Sequence, residues 1–148
     1  MKTLNQDSTK IFCALLDRMT GGQHLSIENE PFMSLTIEKI GENVDTYWGD
    51  ACLYSLCHYY MQNFDPMQDP EMCFIMVDKR EADTTAWDKV KIIPYIYQQA
   101  NLSIYEEIIT FKGNEIDKYD RTLQLQHVIF ANQWLQNIQA QGFLRTKV

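Results

Sequence analysis

The chain has 148 residues, 45% hydrophobic and 12% aromatic, enough to bury a core without disulfide or metal staples, which argues against disorder over most of its length. Its formal charge of −7 disfavours nucleic acid as a ligand, because binding to a phosphate backbone needs clustered Lys and Arg. No stretch approaches the ~18 apolar residues of a membrane-spanning helix, and Met1–Lys10 has no apolar signal core.

In chain order, Ile11, Phe12, Leu15, Leu16 and Met19 recur at helical spacing. They predict a helix over Asp7–Thr20, with Asp7 or Ser8 as N-cap and Gly21-Gly22 as its stop. His24 falls in the loop that follows. Phe32–Ile40 alternates Met33, Leu35 and Ile37 with Ser34, Thr36 and Glu38, the pattern of a half-buried strand closed by Gly41. Beyond a loop at Trp48-Gly49-Asp50, Leu53–Gln62 suits a strand, with a short helix as second choice.

Asn63-Phe64-Asp65-Pro66 and Asp69-Pro70 carry turn chemistry, since Asn and Asp bond their own backbone and Pro presets φ. Met72–Val77 is apolar on both faces and predicts a central strand covered on at least one side. Lys79–Lys89 reads as an exposed loop. Val90–Gln99 returns to β character, and Pro94 places it at an edge or a bulge. Ile104–Lys112 is the last predicted strand, ended by Gly113-Asn114.

A final helix is predicted over Glu115–Gln141, with Glu115 and Asp117 suiting the dipole of its first turn. Leu123, His127, Phe130, Ala131, Trp134, Leu135 and Ile138 form one arc, and Phe130, Trp134 and Ile138 are expected in the core. The far face, Gln126, Asn132, Gln133, Gln136 and Asn137, is uncharged: an ordinary polar face or a partner surface. The expectation is a single α+β domain over residues 1–148. Its sheet is a largely antiparallel meander of about five strands, because short loops cannot make parallel crossovers, with an N-terminal helix and a long C-terminal helix packed on it.

Cys13, Cys52, Cys57 and Cys73 show no CxxC spacing and lie in apolar runs, which reads as reduced thiols in a cytoplasmic protein rather than a zinc site. The densest polar constellation holds His58, Asp65, Asp69 and Glu71. Hard divalent ions favour carboxylate oxygens and imidazole can complete a site, so a metal-dependent hydrolase or nuclease is the alternative function. The spacing matches neither an EF-hand loop nor a zincin helix. A Cys57 or Cys73 nucleophile would need His58 within hydrogen-bond reach. With no GxSxG elbow, phosphate-cradling glycine loop or dinucleotide fingerprint, no catalytic residue, metal or cofactor is assigned.

The pattern His58-Tyr59-Tyr60, Gln62-Asn63, Asp65 and Asp69-Pro70-Glu71-Met72, followed by Ile93–Gln99, resembles an uncharacterised domain encoded on bacterial plasmids, phages and conjugative elements. The resemblance runs over roughly Phe32–Phe111, and where the pattern has Gly after Asn this chain has Phe64. What it implies is a setting on mobile DNA, not a mechanism.

The leading reading is a non-enzymatic accessory or protein-interaction domain of such an element, acting on a host or element-encoded protein. Tyr47, Trp48, Tyr59, Tyr60 and Trp87 are the aromatics expected to serve as anchors where exposed. His58, Gln62, Asn63, Asp65, Asp69, Glu71, Gln98 and Gln99 form the candidate surface, around a turn over Gln62–Glu71. The expected partner is another protein, not nucleic acid or a membrane. A small-molecule sensor, the third reading, requires an apolar pocket between sheet and helix.

Overall fold

A computed structural model describes residues 1–147. In chain order the elements are α1 (Gln6–Asp17), β1 (His24–Asn29), β2 (Phe32–Thr46), β3 (Gly49–Gln62), β4 (Asp65–Asp78), β5 (Val90–Gln99), β6 (Ile104–Glu107), β7 (Ile109–Lys112), β8 (Glu115–Tyr119) and α2 (Arg121–Ala140). Short 3-10 turns at Trp87–Lys89 and Ala100–Leu102 flank β5. The α+β class holds, but the sheet has eight strands rather than five, in the order β6-β5-β4-β3-β2-β8-β7 with β1 also paired to β2.

Strand β4 is central because its sequence is apolar on both faces. Met72, Phe74 and Met76 point to a core shared with Phe12 and Leu15 of α1 and Trp134, Leu135 and Ile138 of α2. Cys73, Ile75 and Val77, on alternate positions, point to a second core with Ile93, Tyr95, Ile108 and Ile109. That second core exists because the chain folds back over the sheet. β6 pairs with the end of β5, the Ile108 amide still donates to the Tyr95 carbonyl at 2.9 Å, and β7 then leaves to form a hairpin with β8. β8 reaches β2 at one parallel pair, Asp45 with Glu115.

Several boundaries differ from the sequence expectation. Asn5 caps α1, its side chain accepting from the Ser8 amide at 2.8 Å. Glu115–Tyr119 is strand, and α2 starts only after Asp120, which caps it by accepting from the Leu123 amide at 2.9 Å. His24 opens β1 instead of lying in a loop. Pro94 is bulged as expected: Cys73 pairs with Ile96 and Phe74 with Pro94, leaving Tyr95 as the extra residue. Trp134 and Ile138 are buried, but Phe130 is 37% exposed and lies edge-on to Tyr97 at 5.3 Å.

Candidate functional site

The hairpin β3–β4 is longer than the sheet around it. β2 leaves β3 at Ser34–Tyr59 and β5 leaves β4 at Glu71–Gln98, while β3 and β4 stay paired out to Gln62–Asp65. The two strands therefore continue past their neighbours as an arm. Its turn is the two-residue Asn63-Phe64, with φ of 51° and 69°. Positive φ at both positions is the requirement of a type I′ turn, whose twist matches that of the strands it joins. Phe64 is 95% exposed and Met61 65% exposed, so the tip presents an aromatic and a thioether to solvent.

Asp69-Pro70 is not part of that turn. Cys57 pairs with Glu71 and Tyr59 with Gln68, so Asp69 and Pro70 form a bulge opposite His58, a place where a strand tolerates proline's missing donor. The bulge anchors the base of the arm. Asp69 accepts from the Gln99 side-chain amide at 2.9 Å, and Gln99 in turn accepts from the Tyr97 hydroxyl at 2.5 Å. On the other face of β4, Glu71 accepts from the buried Ser55 hydroxyl at 2.5 Å and from the Gln98 amide. Gln98 and Gln99 thus serve as braces.

The structure separates the remaining candidates. His58 is 6% exposed and packs against Trp134 and Phe143, with ring centroids at 5.7 and 5.4 Å. Its Nδ1 lies 3.2 Å from both the Met33 and Ser34 carbonyls. Carbonyls only accept, so Nδ1 carries the proton, and burial holds the imidazole's pKa below its ordinary 6.5. His58 is a satisfied core residue. Gln62, Asn63 and Asp65 stand exposed near the tip, and Glu71 faces away from His58. Among the described residues no group of three or more His, Cys, Asp or Glu is placed to hold a metal ion.

The thiols are equally separated from His58, since neighbours on a strand face opposite ways. Burial, with the charge of Glu71 adding to it, pushes Cys57 and Cys73 up to about 12, which leaves them protonated and poorly nucleophilic. All four cysteines are free.

The chain belongs to the DUF6908 family. The model of this domain of unknown function matches residues 10–144, from within α1 to beyond α2 and through the whole arm. No curated protein and no solved structure matches. The family agrees with the reading of the chain as an uncharacterised domain.

Sequence reasoning missed the apolar side chains at the arm's tip in this DUF6908 domain. Neither Phe64 nor Met61 stood among the expected anchors. Of those that did, Tyr47 is 93% exposed, whereas Trp48, Tyr59, Tyr60 and Trp87 are half-buried. Trp87 is covered by the Arg80 guanidinium at 4.9 Å, which Asp78 holds through bonds of 2.8 and 3.0 Å. On α2, Asn132 is not on a free face but accepts from the Asn5 amide at 3.1 Å, while Leu125 and Ile129 stand exposed among the glutamines. The sensor reading also finds little support. A cleft of about 240 Å³ beside α1 mixes Asp17, Asp50, Asp78 and Arg80 with Leu16, Tyr54 and Met76, so it is not the apolar pocket that reading requires. Among the described residues no helix is long and apolar enough to cross a membrane.

Proposed function

We propose that this DUF6908 domain is a non-enzymatic protein-interaction module that uses the β3–β4 arm to grip a partner. The observation that carries the reading is Phe64. Its ring is almost wholly in water, and its backbone sits where an L side chain is disfavoured, so it adds nothing to the fold and strains it locally. A rigid aromatic at the tip of a braced arm suits a pocket on another protein, because it brings a large contact area at small entropic cost. The resemblance to mobile-element domains supports an accessory role on such an element, in the cytoplasm, with a host or element-encoded protein as partner.

Affinity capture from the native host, with wild type, Phe64→Asp and Met61→Ser as parallel baits, tests this. A protein retained by wild type and lost from both variants, at unchanged melting temperature, is the expected result. Identical capture by all three baits would remove the arm from the function.

A further inference from the structure

The opposite end of the same strands carries a second surface, remote from Phe64. β2 and β3 are joined there by the turn Tyr47-Trp48, and β4 runs out into Lys79. Gly49 has φ of +124°, and a Cβ on it would stand 2.8 Å from Cε of Lys79, so the lysine stem crosses bare backbone at the turn. The 3-10 turn before β5 and the start of β5 bring two more lysines alongside, Lys89 and Lys91. The Lys79 amide donates to the Lys89 carbonyl at 3.0 Å, and Lys91 stands opposite Val77 in register. Together they line an open groove of about 750 Å³ with Val77, Tyr47 and Trp48. Tyr47 meets Trp48 edge-on at 5.9 Å, and the turn is held by the Thr46 hydroxyl, which donates to the Gly49 carbonyl at 2.6 Å and accepts from the Trp48 amide at 3.2 Å.

The groove mixes three lysines with two carboxylates, Glu81 and Asp88, and so is slightly basic in an acidic chain. The sequence carries a net −7, yet three lysines meet here, and among the described residues none of them has an acidic partner within 4.0 Å. Glu81 and Asp88 also line the groove and interleave carboxylates with the ammonium groups. We propose that the groove binds an extended acidic polypeptide segment, with carboxylates on Lys79, Lys89 and Lys91 and an apolar or aromatic side chain against Tyr47 and Trp48. The interleaving favours this occupant. A nucleic-acid strand carries a charge on every backbone unit and has no backbone N–H group to offer, so it would meet Glu81 and Asp88 with repulsion alone. An extended peptide presents same-side residues roughly 6.6 Å apart and has backbone N–H groups to offer those two carboxylates between its own acids. Lysine also supplies point charges that follow a flexible carboxylate, without arginine's planar fork for phosphate.

The test is fluorescence anisotropy with a fluorescein-labelled peptide alternating Glu with Val and Phe. Its Gln-for-Glu analogue and a labelled single-stranded DNA oligonucleotide are run beside it. The acidic peptide should bind saturably, the Gln analogue roughly tenfold or more weakly, and the Lys89→Glu, Lys91→Glu double variant should lose a similar factor at unchanged melting temperature. Tyr47→Ala should weaken binding several-fold. Salt should weaken it too, since the screening length falls from about 10 Å at 0.1 M to about 3 Å at 1 M. Absence of saturable binding, equal binding of the Gln analogue, or indifference to the lysine variant would each overturn the proposal, and tighter binding of the DNA would give the groove to nucleic acid. Phe64→Ala should leave the peptide affinity intact, so this groove and the arm stand or fall separately.

Discussion

Replacing Phe64 with glycine separates the energetic cost of the arm's tip from its use. Phe64 sits at φ 69° with its ring 95% exposed, so glycine relieves the backbone and forfeits no burial. The left-handed conformation costs an L residue roughly 1–2 kcal/mol. Glycine returns about 0.4–1 kcal/mol of that through the larger entropy of its unfolded state. The expected outcome is a net gain of about 0.5–1 kcal/mol, a rise of roughly 1–4 °C in melting temperature for a chain of this size. Calorimetry and urea titration read it directly. Phe64→Ala is the companion variant: it keeps the positive φ, removes the ring, and should stay within about 0.5 kcal/mol of wild type. Both variants should lose partner capture, so that one protein is more stable and less functional at once. A loss of more than about 1 kcal/mol in Phe64→Gly would show the ring to be packed, and the account of the arm as a presenting device would fail.

Glu71→Ala leaves the buried Ser55 hydroxyl and the Gln98 amide without their acceptor and should cost about 1–3 kcal/mol; an unchanged urea midpoint would show that the arm's base is not braced there. His58 adds a pH dependence of definite sign. Burial lowers its pKa from 6.5 in the fold, so below that pH the unfolded state binds more protons. Its contribution is complete above 6.5 and is lost as pH falls from there toward the lower folded value; the difference between wild-type and His58→Gln stability curves should shrink over that window, and parallel curves would contradict it. For the thiols, burial is the leading cause holding Cys13 near 11 and Cys57 and Cys73 near 12. Iodoacetamide at mildly alkaline pH should label only half-exposed Cys52 in the native protein and all four cysteines after unfolding, read by peptide mass mapping. Native labelling of Cys57 or Cys73 as fast as Cys52 would overturn that assignment.

What the sequence determined by itself are the elements whose periodicity is set by near neighbours along the chain. The apolar stripe of α1, the alternation of β2, the two-sided run of β4, the bulge at Pro94 and the buried arc of α2 around Trp134 were all legible. β1 and β8 were not, because Ile27 is the one buried residue of His24–Asn29 and only Ile116 of Glu115–Tyr119 packs on a core. Acidic Glu115 and Asp117 look locally like a helix start, and only pairing with β7 and Asp45 makes that stretch a strand.

The candidate site shows the same division. Asn63-Phe64 was readable as a turn, but whether Asp69-Pro70 continues it or bulges inside β4 depends on how many residues of β3 stand opposite. His58 and Glu71 look like one polar cluster in sequence, yet cross-strand register sends one into the helix-covered core and the other to the opposite face. Phe64 is exposed because β2 and β5 end short of it. Register and strand termination are decided by contacts between residues far apart in the chain, and shifting a strand by a single residue turns every side chain to the other face. For that reason tertiary structure alone settles which side chains this protein presents.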